Sequence, residues 1–563
     1  MVRLIARALR NLVCLVVAPL WAIGGWFGRP KGPWIVVRLK PRVVEVATPI
    51  PWIRRILDAD AIRRTSSLAA LRRLTDYAIS DPKIEGVAIV LPPLTAGWSV
   101  CMGLRDQVER LRQAGKATAV MLPRGGSHRE LFVASAAAQV FMAPRASISL
   151  LGLSASARYI KPLLDRAGVE IEPFARKEYK TAAERVSRDS MSPQQREQLQ
   201  VIIDGFSDSL VNALAARTGR STSEVRGFFA TGVFRAEEAI GAGLIDQVAY
   251  EDELASLLGC DKKRPLVEAH RYLAFKERRL FVPIRRRPYI AIVTVKGAIS
   301  ESGAPAGRRA SVVSALRRAR NDRRALGVLL WVDSPGGSAE SSDLIHREVV
   351  RVKEKKPVVA YFGEVAASGG YYVSTHVDSI VAQPLAITGS IGVVSARLLA
   401  RDLLDKIGIR TEVLRTGPHA DLFSAHRRLT EDERAMMNRE LDAFYESFVG
   451  LVAEGRGRPF DEIEPLARGR VWLARDAHRL GLVDELGGMD RALEVLRDRI
   501  DISPSARARL EPRPVASFRF EPPVPTASAW IDESVFGPWK DLGLLLGEGS
   551  GVLYHAISVP VVR

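Results

Sequence analysis

The sequence predicts an α/β protein that consists of an N-terminal membrane anchor followed by two tandem copies of one fold. Three observations support this prediction. Short runs rich in valine and isoleucine alternate with amphipathic stretches, sequence blocks recur at a nearly constant offset, and a charge-free apolar run lies close to residue 1. The 563 residues, 47% hydrophobic and 26% charged, suffice for more than one domain and exclude disordered and collagen-like proteins.

The tandem duplication is predicted from collinear blocks separated by about 240 residues. Because several blocks keep one order and nearly one spacing, a repeated domain explains them better than chance similarity. The matching pairs are residues 81–91 with 322–332, 139–144 with 379–384, 205–211 with 443–449, and 231–246 with 469–484.

The elements of each copy follow from hydrophobic pattern and capping residues. Residues 290–295, 327–332 and 358–362 are short apolar runs typical of buried parallel strands joined by helices. A long helix is predicted to open at Ser192-Pro193, and a second at the capping box formed by Thr430 and Glu433. The first of these helices places apolar residues on one face, namely Val201, Ile202, Phe206, Leu210 and Leu214.

The predicted domain boundaries follow from the repeat and from shifts in composition. Six prolines between residues 504 and 525 indicate a largely irregular C-terminal extension, and an arginine-rich stretch separates the two copies. The boundaries are a membrane anchor (1–30), an N-terminal half (31–262), a basic linker (263–287), a C-terminal half (288–500) and a Pro-rich extension (501–563).

The anchor prediction concerns residues 12–27, which contain no charge and follow Arg3, Arg7 and Arg10. This polarity keeps the N-terminus in the cytoplasm and exports the body, and Trp21 and Trp26 resemble interfacial anchors. The expected location is the inner (cytoplasmic) membrane, single-pass, with the body on the periplasmic (extracytoplasmic) side. Since the run is short for a bilayer, a cleaved signal sequence and a surface-lying or core helix remain alternatives.

Charge and cysteine content restrict the classes of partner. The net charge of +18 is concentrated in the first 44 residues and in residues 271–287, so it does not form the basic face that nucleic acid requires. The three cysteines, Cys14, Cys101 and Cys260, have neither metal-ligand spacing nor an even count. We therefore expect no nucleic acid partner, no structural disulfide, no metal and no other cofactor.

Two glycine-containing turns in the second copy could carry chemistry. Residues 334–338 (SPGGS) follow one predicted strand, and residues 366–370 (AASGG) follow the next. A serine on a tight strand-to-helix turn exposes its hydroxyl, which makes Ser368 a candidate nucleophile. The amides of Gly336 or Gly337, with that of Gly369, could form an oxyanion hole. Taken singly, each motif is also consistent with an ordinary turn or a close packing site.

A nucleophilic serine needs a base. His376 is unsuitable, because eight residues along a helix correspond to about 12 Å of rise. A lysine can serve instead where burial lowers its pKa from about 10.4. Composition alone does not say which lysine this is.

Taken together, these motifs resemble the signal peptide peptidase A (protease IV) family, in its long duplicated form. The resemblance covers residues 35–500 approximately, and is carried by DSPGGS, AASGGYYVS, TGSIGV and, in the first copy, EYKTAAE. It implies a tandem ClpP/crotonase-like fold and a Ser-Lys dyad. Ser368 would be the nucleophile, Lys180 the general base, and Ser390 a hydroxyl that orients the lysine.

The repeat offers an independent check on these roles. The offset between the copies carries Lys180 onto Ala420 and Ser368 onto His128, so neither copy has both groups. A dyad assembled from the two copies therefore predicts a site between the two halves. Lys177 is the obvious competitor as base, and we expect it to be a solvated lysine.

The resemblance implies a membrane-bound endopeptidase that degrades remnant signal peptides and similar apolar segments beside a lipid bilayer, as a homo-oligomer and by family pattern a tetramer. Two features depart from the family: the polar residues 124–130, and residues 503–563, which could dock on the body or a membrane. Two other functions remain open, a crotonase-type acyl-CoA enzyme and a non-catalytic membrane scaffold.

Overall fold

The structure is a computed structural model that describes residues 30–46, 65–278, 287–301, 308–507, 510–515 and 553–555, and the isolated residues 10–12, 14 and 18. Most of the predicted anchor, residues 12–27, lies outside these described residues. Among the residues that are described, no helix combines the length and the apolar character needed to cross a bilayer.

Strands and helices alternate along most of the described chain. The strands are β1 (Trp34–Arg38), β2 (Arg42–Val44), β3 (Thr65–Ser67), β4 (Gly86–Val90), β5 (Ala117–Leu122), β6 (Gln139–Met142), β7 (Ser147–Ser149), β8 (Glu170–Ala175), β9 (Val233–Arg235), β10 (Gln247–Val248), β11 (Val267–Glu268), β12 (Tyr289–Lys296), β13 (Ala325–Ser334), β14 (Gly336–Ser338), β15 (Val358–Ala367), β16 (Ser379–Ala382), β17 (Ile387–Gly389), β18 (Val394–Leu399), β19 (Val471–Leu473), β20 (Glu485–Leu486), β21 (Glu511–Pro514) and β22 (Leu553–His555).

The helices are α1 (Leu68–Ser80), α2 (Trp98–Gln113), α3 (His128–Ala134), α4 (Lys161–Ala167), α5 (Glu184–Ser187), α6 (Pro193–Thr218), α7 (Thr222–Thr231), α8 (Ala236–Gly241), α9 (Leu254–Leu257), α10 (Ala269–Lys276), α11 (Arg309–Asn321), α12 (Ala339–Lys353), α13 (Gly369–Tyr372), α14 (Arg401–Lys406), α15 (Glu431–Arg456), α16 (Phe460–Ile463), α17 (Ala474–Arg479), α18 (Met489–Asp498) and α19 (Pro504–Arg507).

The chain divides into two compact units. The first unit comprises Met1–Leu153 and Asp204–Arg287, and the second comprises Ser154–Ile203 and Pro288–Arg563. The boundary at residue 203 falls inside α6.

The first unit is built on a six-stranded parallel sheet in the order β10-β6-β5-β4-β1-β11. All five residues of β4 are buried, as expected for a parallel strand covered by helices on both faces. The amphipathic helix α2 buries Leu104, Val108 and Leu111 and leaves Arg112 exposed.

The second unit repeats this arrangement. Its parallel strands run β20-β16-β15-β13-β12-β21, the order found in the first unit. The antiparallel pair β17 and β19 corresponds to β7 and β9. The blocks matched in the sequence occupy equivalent strands, β4 with β13 and β6 with β16. The predicted α/β repeat is therefore present in the topology.

The helices predicted from capping residues begin where expected. The helix α6 starts at Pro193, and Thr430 caps α15 in a capping box with Glu433. The predicted apolar face of α6 needs one correction. Ile202 is buried, whereas its neighbour Val201 is 39% exposed, because adjacent residues on a helix point about 100° apart.

Residues 154–203 lie in the second unit, although the repeat assigned them to the N-terminal half. Strand β8 pairs antiparallel with β18 along its whole length, from Ala175 opposite Val394 to Glu170 opposite Leu399. Behind this pair, Leu164 and Ile171 form a small core to which Ala396 contributes. This pairing and its apolar backing hold the segment in the second unit.

The basic stretch 263–287 contributes ordered elements to the first unit. Strand β11 pairs with β1 at the edge of the sheet, and α10 follows it. At the other end of the chain, β21 pairs with β12, so residues 511–514 of the Pro-rich extension form an edge strand of the second unit.

Candidate active site

Ser368 occupies a strained turn between β15 and α13. It has φ 54° and ψ −120°, and its amide donates a hydrogen bond of 2.8 Å to the carbonyl oxygen of Gly389. Positive φ is costly for a residue with a side chain, and such strain is concentrated at functional sites. The side chain is fully buried. The predicted nucleophile turn therefore has the expected geometry.

The two glycines after Ser368 are explained by close packing. A Cβ atom on Gly370 would lie 2.7 Å from the carbonyl oxygen of Ser334, and one on Gly369 would lie 2.4 Å from Ser342 Oγ. Larger residues at these positions would push α13 away from β13 and α12. The two glycines after Ser368 thus allow α13 to pack closely against β13 and α12.

Lys180 lies in the loop between β8 and α5, with its amine beside both predicted serines. Its Nζ is 2.9 Å from Ser368 Oγ, 3.0 Å from Ser390 Oγ and 2.9 Å from the Ser390 carbonyl oxygen. The residue is only 4% exposed. The lysine amine therefore lies within hydrogen-bond distance of both serines that the sequence predicted to act with it.

The three contacts match the hydrogen-bonding capacity of a neutral amine. The Ser390 carbonyl oxygen is an acceptor and takes one N–H, and Ser390 Oγ can take the second. The nitrogen lone pair then faces Ser368 Oγ, which can donate its proton. This arrangement is the one that a general base requires.

Burial favours this neutral form. The pKa of Lys180 is well below its ordinary value, because removal from water penalises the charged ammonium. The described contacts of the amine are with two serines, neither of which carries a charge.

The backbone of Lys180 is held by a segment that sequence reasoning did not identify. A Cβ atom on Gly469 would lie 2.6 Å from both the Lys180 backbone nitrogen and Cβ. The Tyr179 amide donates to the Arg468 carbonyl oxygen, and the Arg470 guanidinium lies over the Tyr179 ring at 4.7 Å. Residues 469 and 470 begin a repeated block, but nothing in that pattern indicates that they touch the lysine.

Ser390 is fixed by the same segment. Its φ of 52° is also positive, its amide donates to the Arg470 carbonyl oxygen at 2.6 Å, and the residue is 1% exposed. Its hydroxyl and carbonyl groups both face the amine. The orienting role that the family resemblance implies for Ser390 stays a prediction.

The three glycines predicted for the oxyanion hole lie close together but are not equivalent. The Cβ position of Gly369 is 3.4 Å from the Gly337 nitrogen and 3.3 Å from Gly336 Cα. The Gly336 amide donates to Ser334 Oγ at 3.1 Å, so it is already engaged within the turn. The backbone amides of Gly337 and Gly369 are therefore the better candidates for the two hydrogen-bond donors of the oxyanion hole.

The two alternative bases are engaged elsewhere. The Lys177 amine pairs with Glu464 at 3.2 Å and lies 5.6 Å from the centre of the Tyr445 ring, with its side chain 43% exposed. It is thus partly solvated, as expected, but also ion-paired. His376 contacts His346 at 2.9 Å.

The predicted site between the two halves needs a correction. Lys180, Ser368 and Ser390 all belong to the second compact unit. The lysine comes from the first sequence repeat, but the pairing of β8 with β18 carries it into that unit. Lys180 and the two serines therefore come from different repeats of the sequence and lie inside one unit of the structure.

The chain is similar to known peptidases over most of its length. Peptidase family S49 matches residues 111–263 and again 350–503. The chain is 32% identical to the chloroplastic serine protease SPPA of Arabidopsis thaliana, over 84% of this chain and 71% of that protein. The chain belongs to peptidase family S49. Its S49 fold is a mixed α/β fold with two S49 regions.

Other S49 relatives carry protease names. Protease 4 of Salmonella typhi is 29% identical over 78% of this chain and 73% of that protein. A putative signal peptide peptidase SppA of Enterococcus faecium is 35% identical over 32% of this chain and 53% of its own length. This S49 protein is thus a serine peptidase, and neither acyl-CoA chemistry nor a purely scaffolding function is favoured.

Proposed function

We propose that this S49 peptidase hydrolyses peptide bonds with a Ser368–Lys180 dyad. Neutral Lys180 accepts the hydroxyl proton while Ser368 Oγ attacks the substrate carbonyl, and the resulting ammonium then protonates the leaving amine. In the second half of the reaction, Lys180 takes a proton from the water that attacks the acyl-enzyme. It then returns the proton to Ser368 Oγ as the acyl bond breaks. Ser390 orients the lysine by accepting hydrogen bonds from it.

The observation that carries this proposal is the 2.9 Å contact between Lys180 Nζ and Ser368 Oγ in a buried site. It is within the range for direct proton transfer. The oxyanion that forms would accept hydrogen bonds from the amides of Gly337 and Gly369, which supply charge stabilisation in the transition state.

We further propose that the substrates are remnant signal peptides and similar apolar segments, cleaved beside a lipid bilayer. The name of the Enterococcus relative supports the substrate class. The charge pattern of residues 1–27 supports single-pass insertion in the inner membrane, with the body on the periplasmic side. Assembly as a homotetramer rests on family resemblance.

Covalent labelling tests the nucleophile. A fluorophosphonate probe should phosphonylate the chain once, with loss of fluoride, and mass spectrometry of the digested protein should locate the adduct at Ser368. The Ser368→Ala variant should remain unlabelled, whereas Ser374→Ala, altering another buried serine on the same segment, should label normally. An adduct on any other residue would assign the nucleophile elsewhere.

The pH dependence of kcat/KM tests the base. Since burial lowers the pKa of Lys180, the amine loses its proton at a lower pH than a solvated lysine would. Activity should therefore rise with pH through that lowered pKa and level off well below pH 10. Steady-state hydrolysis of a fluorogenic peptide would measure this. A profile that is flat between about pH 6 and 9 would contradict a base titrating there.

A further inference from the structure

A buried glutamine of α6 joins the segment that carries Lys180 to strand β19. Gln198 is 2% exposed and lies in the second unit. Its Nε2 donates a hydrogen bond of 3.2 Å to the Tyr179 carbonyl oxygen, and its Oε1 accepts one of 2.9 Å from the Val471 amide. Because the Tyr179 carbonyl belongs to the peptide bond that ends at the Lys180 nitrogen, Gln198 holds the backbone of the lysine directly.

These two contacts require a carboxamide. The Tyr179 carbonyl oxygen only accepts hydrogen bonds, and the Val471 amide only donates one. The planar amide of Gln198 presents a donor to the first and an acceptor to the second. A carboxylate would place an acceptor opposite the carbonyl oxygen, and an apolar side chain would remove both hydrogen bonds.

Through Val471, Gln198 also reaches the strand that holds the nucleophile turn. Val471 begins β19 and lies opposite Gly389 in the antiparallel pair of β17 and β19. The Gly389 carbonyl oxygen accepts a hydrogen bond of 2.8 Å from the Ser368 amide. One side chain thus connects the backbone of the proposed base to the strand pair on which the proposed nucleophile is fixed.

The preceding residue of α6 supports the same segment from its exposed side. The Tyr179 hydroxyl and the Arg470 guanidinium both donate to the Glu197 carboxylate, at 2.9 Å and 2.6 Å. The guanidinium also lies 4.7 Å from the centre of the Tyr179 ring. Since the side chain of Glu197 is 44% exposed, water screens its ion pair. The buried contact made by Gln198 is therefore the stronger constraint on the lysine.

The second sequence copy has no counterpart of this glutamine. Residues 205–211 match 443–449, and the same offset places Met436 opposite Gln198. That copy also has Ala420 where the first has Lys180. The lysine and the amide that holds its backbone are thus present together in one copy and absent together from the other. This distribution is expected if Gln198 serves the lysine and not the shared fold.

We propose that Gln198 is a positioning residue for the general base, and that its carboxamide holds the Tyr179–Lys180 peptide so that the lysine amine stays beside Ser368. The proposal rests on the proposed function, since it names what keeps the dyad in place. The amine lies 2.9 Å from Ser368 Oγ, so a small displacement of the lysine backbone separates the two atoms. A displacement of about 1 Å can lower a rate by about 10²-fold.

The test compares Gln198→Met with Gln195→Met in the full chain. Gln195 also lies on α6 and is 2% exposed, but its side chain accepts from the Tyr159 hydroxyl and not from the lysine segment. Both variants therefore exchange a buried, hydrogen-bonded glutamine for an apolar side chain of similar length. The measurements are kcat and KM for a fluorogenic peptide between about pH 6 and 10, and thermal unfolding.

In Gln198→Met, kcat should fall by about 10²-fold, and KM should change by less than about twofold because the lysine acts in the chemical step. The midpoint of the kcat/KM profile should move to higher pH by about one unit. The displaced amine is more hydrated, so the pKa of Lys180 returns toward its ordinary value. Gln195→Met should lower the melting temperature, as Gln198→Met should, but keep kcat and the midpoint.

Unchanged kcat in Gln198→Met would overturn the proposal. A lower kcat with an unmoved midpoint would also overturn it, because the amine would then have kept its buried position. An equal loss of kcat in Gln195→Met would assign the effect to the packing of α6 and contradict a role specific to Gln198.

Gln198→Glu keeps the proposal testable if Gln198→Met does not fold. This variant retains the length of the side chain and the acceptor for the Val471 amide, and it replaces only the donor to the Tyr179 carbonyl oxygen. At the high-pH plateau, kcat should fall by at least about tenfold. A plateau equal to that of the unaltered chain would overturn the proposal.

Lys180→Met, measured in the same series, separates this inference from the proposed function. Full activity of Lys180→Met would overturn the dyad itself. Loss of activity in Lys180→Met, with unaltered kcat and midpoint in both Gln198 variants, would overturn the positioning role alone.

Discussion

Replacing Lys180 with methionine should abolish peptide hydrolysis and make the folded chain more stable. Methionine fills a similar volume without a basic nitrogen, so Ser368 loses its proton acceptor. Removing one member of such a catalytic unit lowers kcat by about 10³-fold or more. Turnover of a fluorogenic peptide and thermal unfolding, measured on one preparation, would test both effects.

The stability effect follows from the lowered pKa of Lys180. Between that pKa and the ordinary value of about 10.4, the unfolded chain holds a proton on this lysine and the folded chain does not. The free energy of unfolding contributed by this residue therefore rises with pH across that window. In Lys180→Met this rise should disappear, and the gain in melting temperature should be greatest at the acidic end of the window.

The matched control is Lys177→Met, three residues away. This lysine is 43% exposed and pairs with Glu464, so its loss should leave kcat within a few-fold of the unaltered enzyme. Activity that survives in Lys180→Met but disappears in Lys177→Met would move the base to Lys177. A lower melting temperature in Lys180→Met would contradict a buried, neutral lysine.

The sequence predicted what depends on local pattern. Valine-rich runs such as residues 327–332 form strands because the surrounding helices bury them on both faces. The Ser-Gly-Gly turn could be predicted from the sequence because a strained serine needs small neighbours. The structure shows Gly369 and Gly370 closely packed. The capping box at Thr430 marked the start of α15 for a similarly local reason.

The sequence did not predict what depends on pairing between distant segments. Nothing in β8 itself indicates that it pairs with β18, yet this pairing brings Lys180 to Ser368. The contact between Gly469 and the backbone of Lys180 joins residues almost 300 positions apart. The pairing of β22 with β14 is a third case, since an irregular Pro-rich extension gives no pattern from which to predict it.

Replacing Gly337 with alanine should strongly lower kcat while leaving Lys180 and Ser368 in contact. The new Cβ atom would lie 2.1 Å from the carbonyl oxygen of Ile299 and 2.7 Å from its nitrogen. Both are backbone atoms of a strand bridge, and the φ of Gly337, 152°, is unfavourable for alanine. Strand β14 must therefore shift and carry the Gly337 amide with it.

The shift should lower kcat by about 10²-fold, the usual effect of losing one oxyanion-hole donor. The pH dependence of kcat should keep its position, because the environment of Lys180 is unchanged. Gly450→Ala, in the middle of α15 with nothing within 4 Å of the added atom, is the control and should retain full activity. Unimpaired turnover by Gly337→Ala would show that β14 does not supply the oxyanion donor, and would leave the Gly369 amide to stabilise the transition state with a different partner.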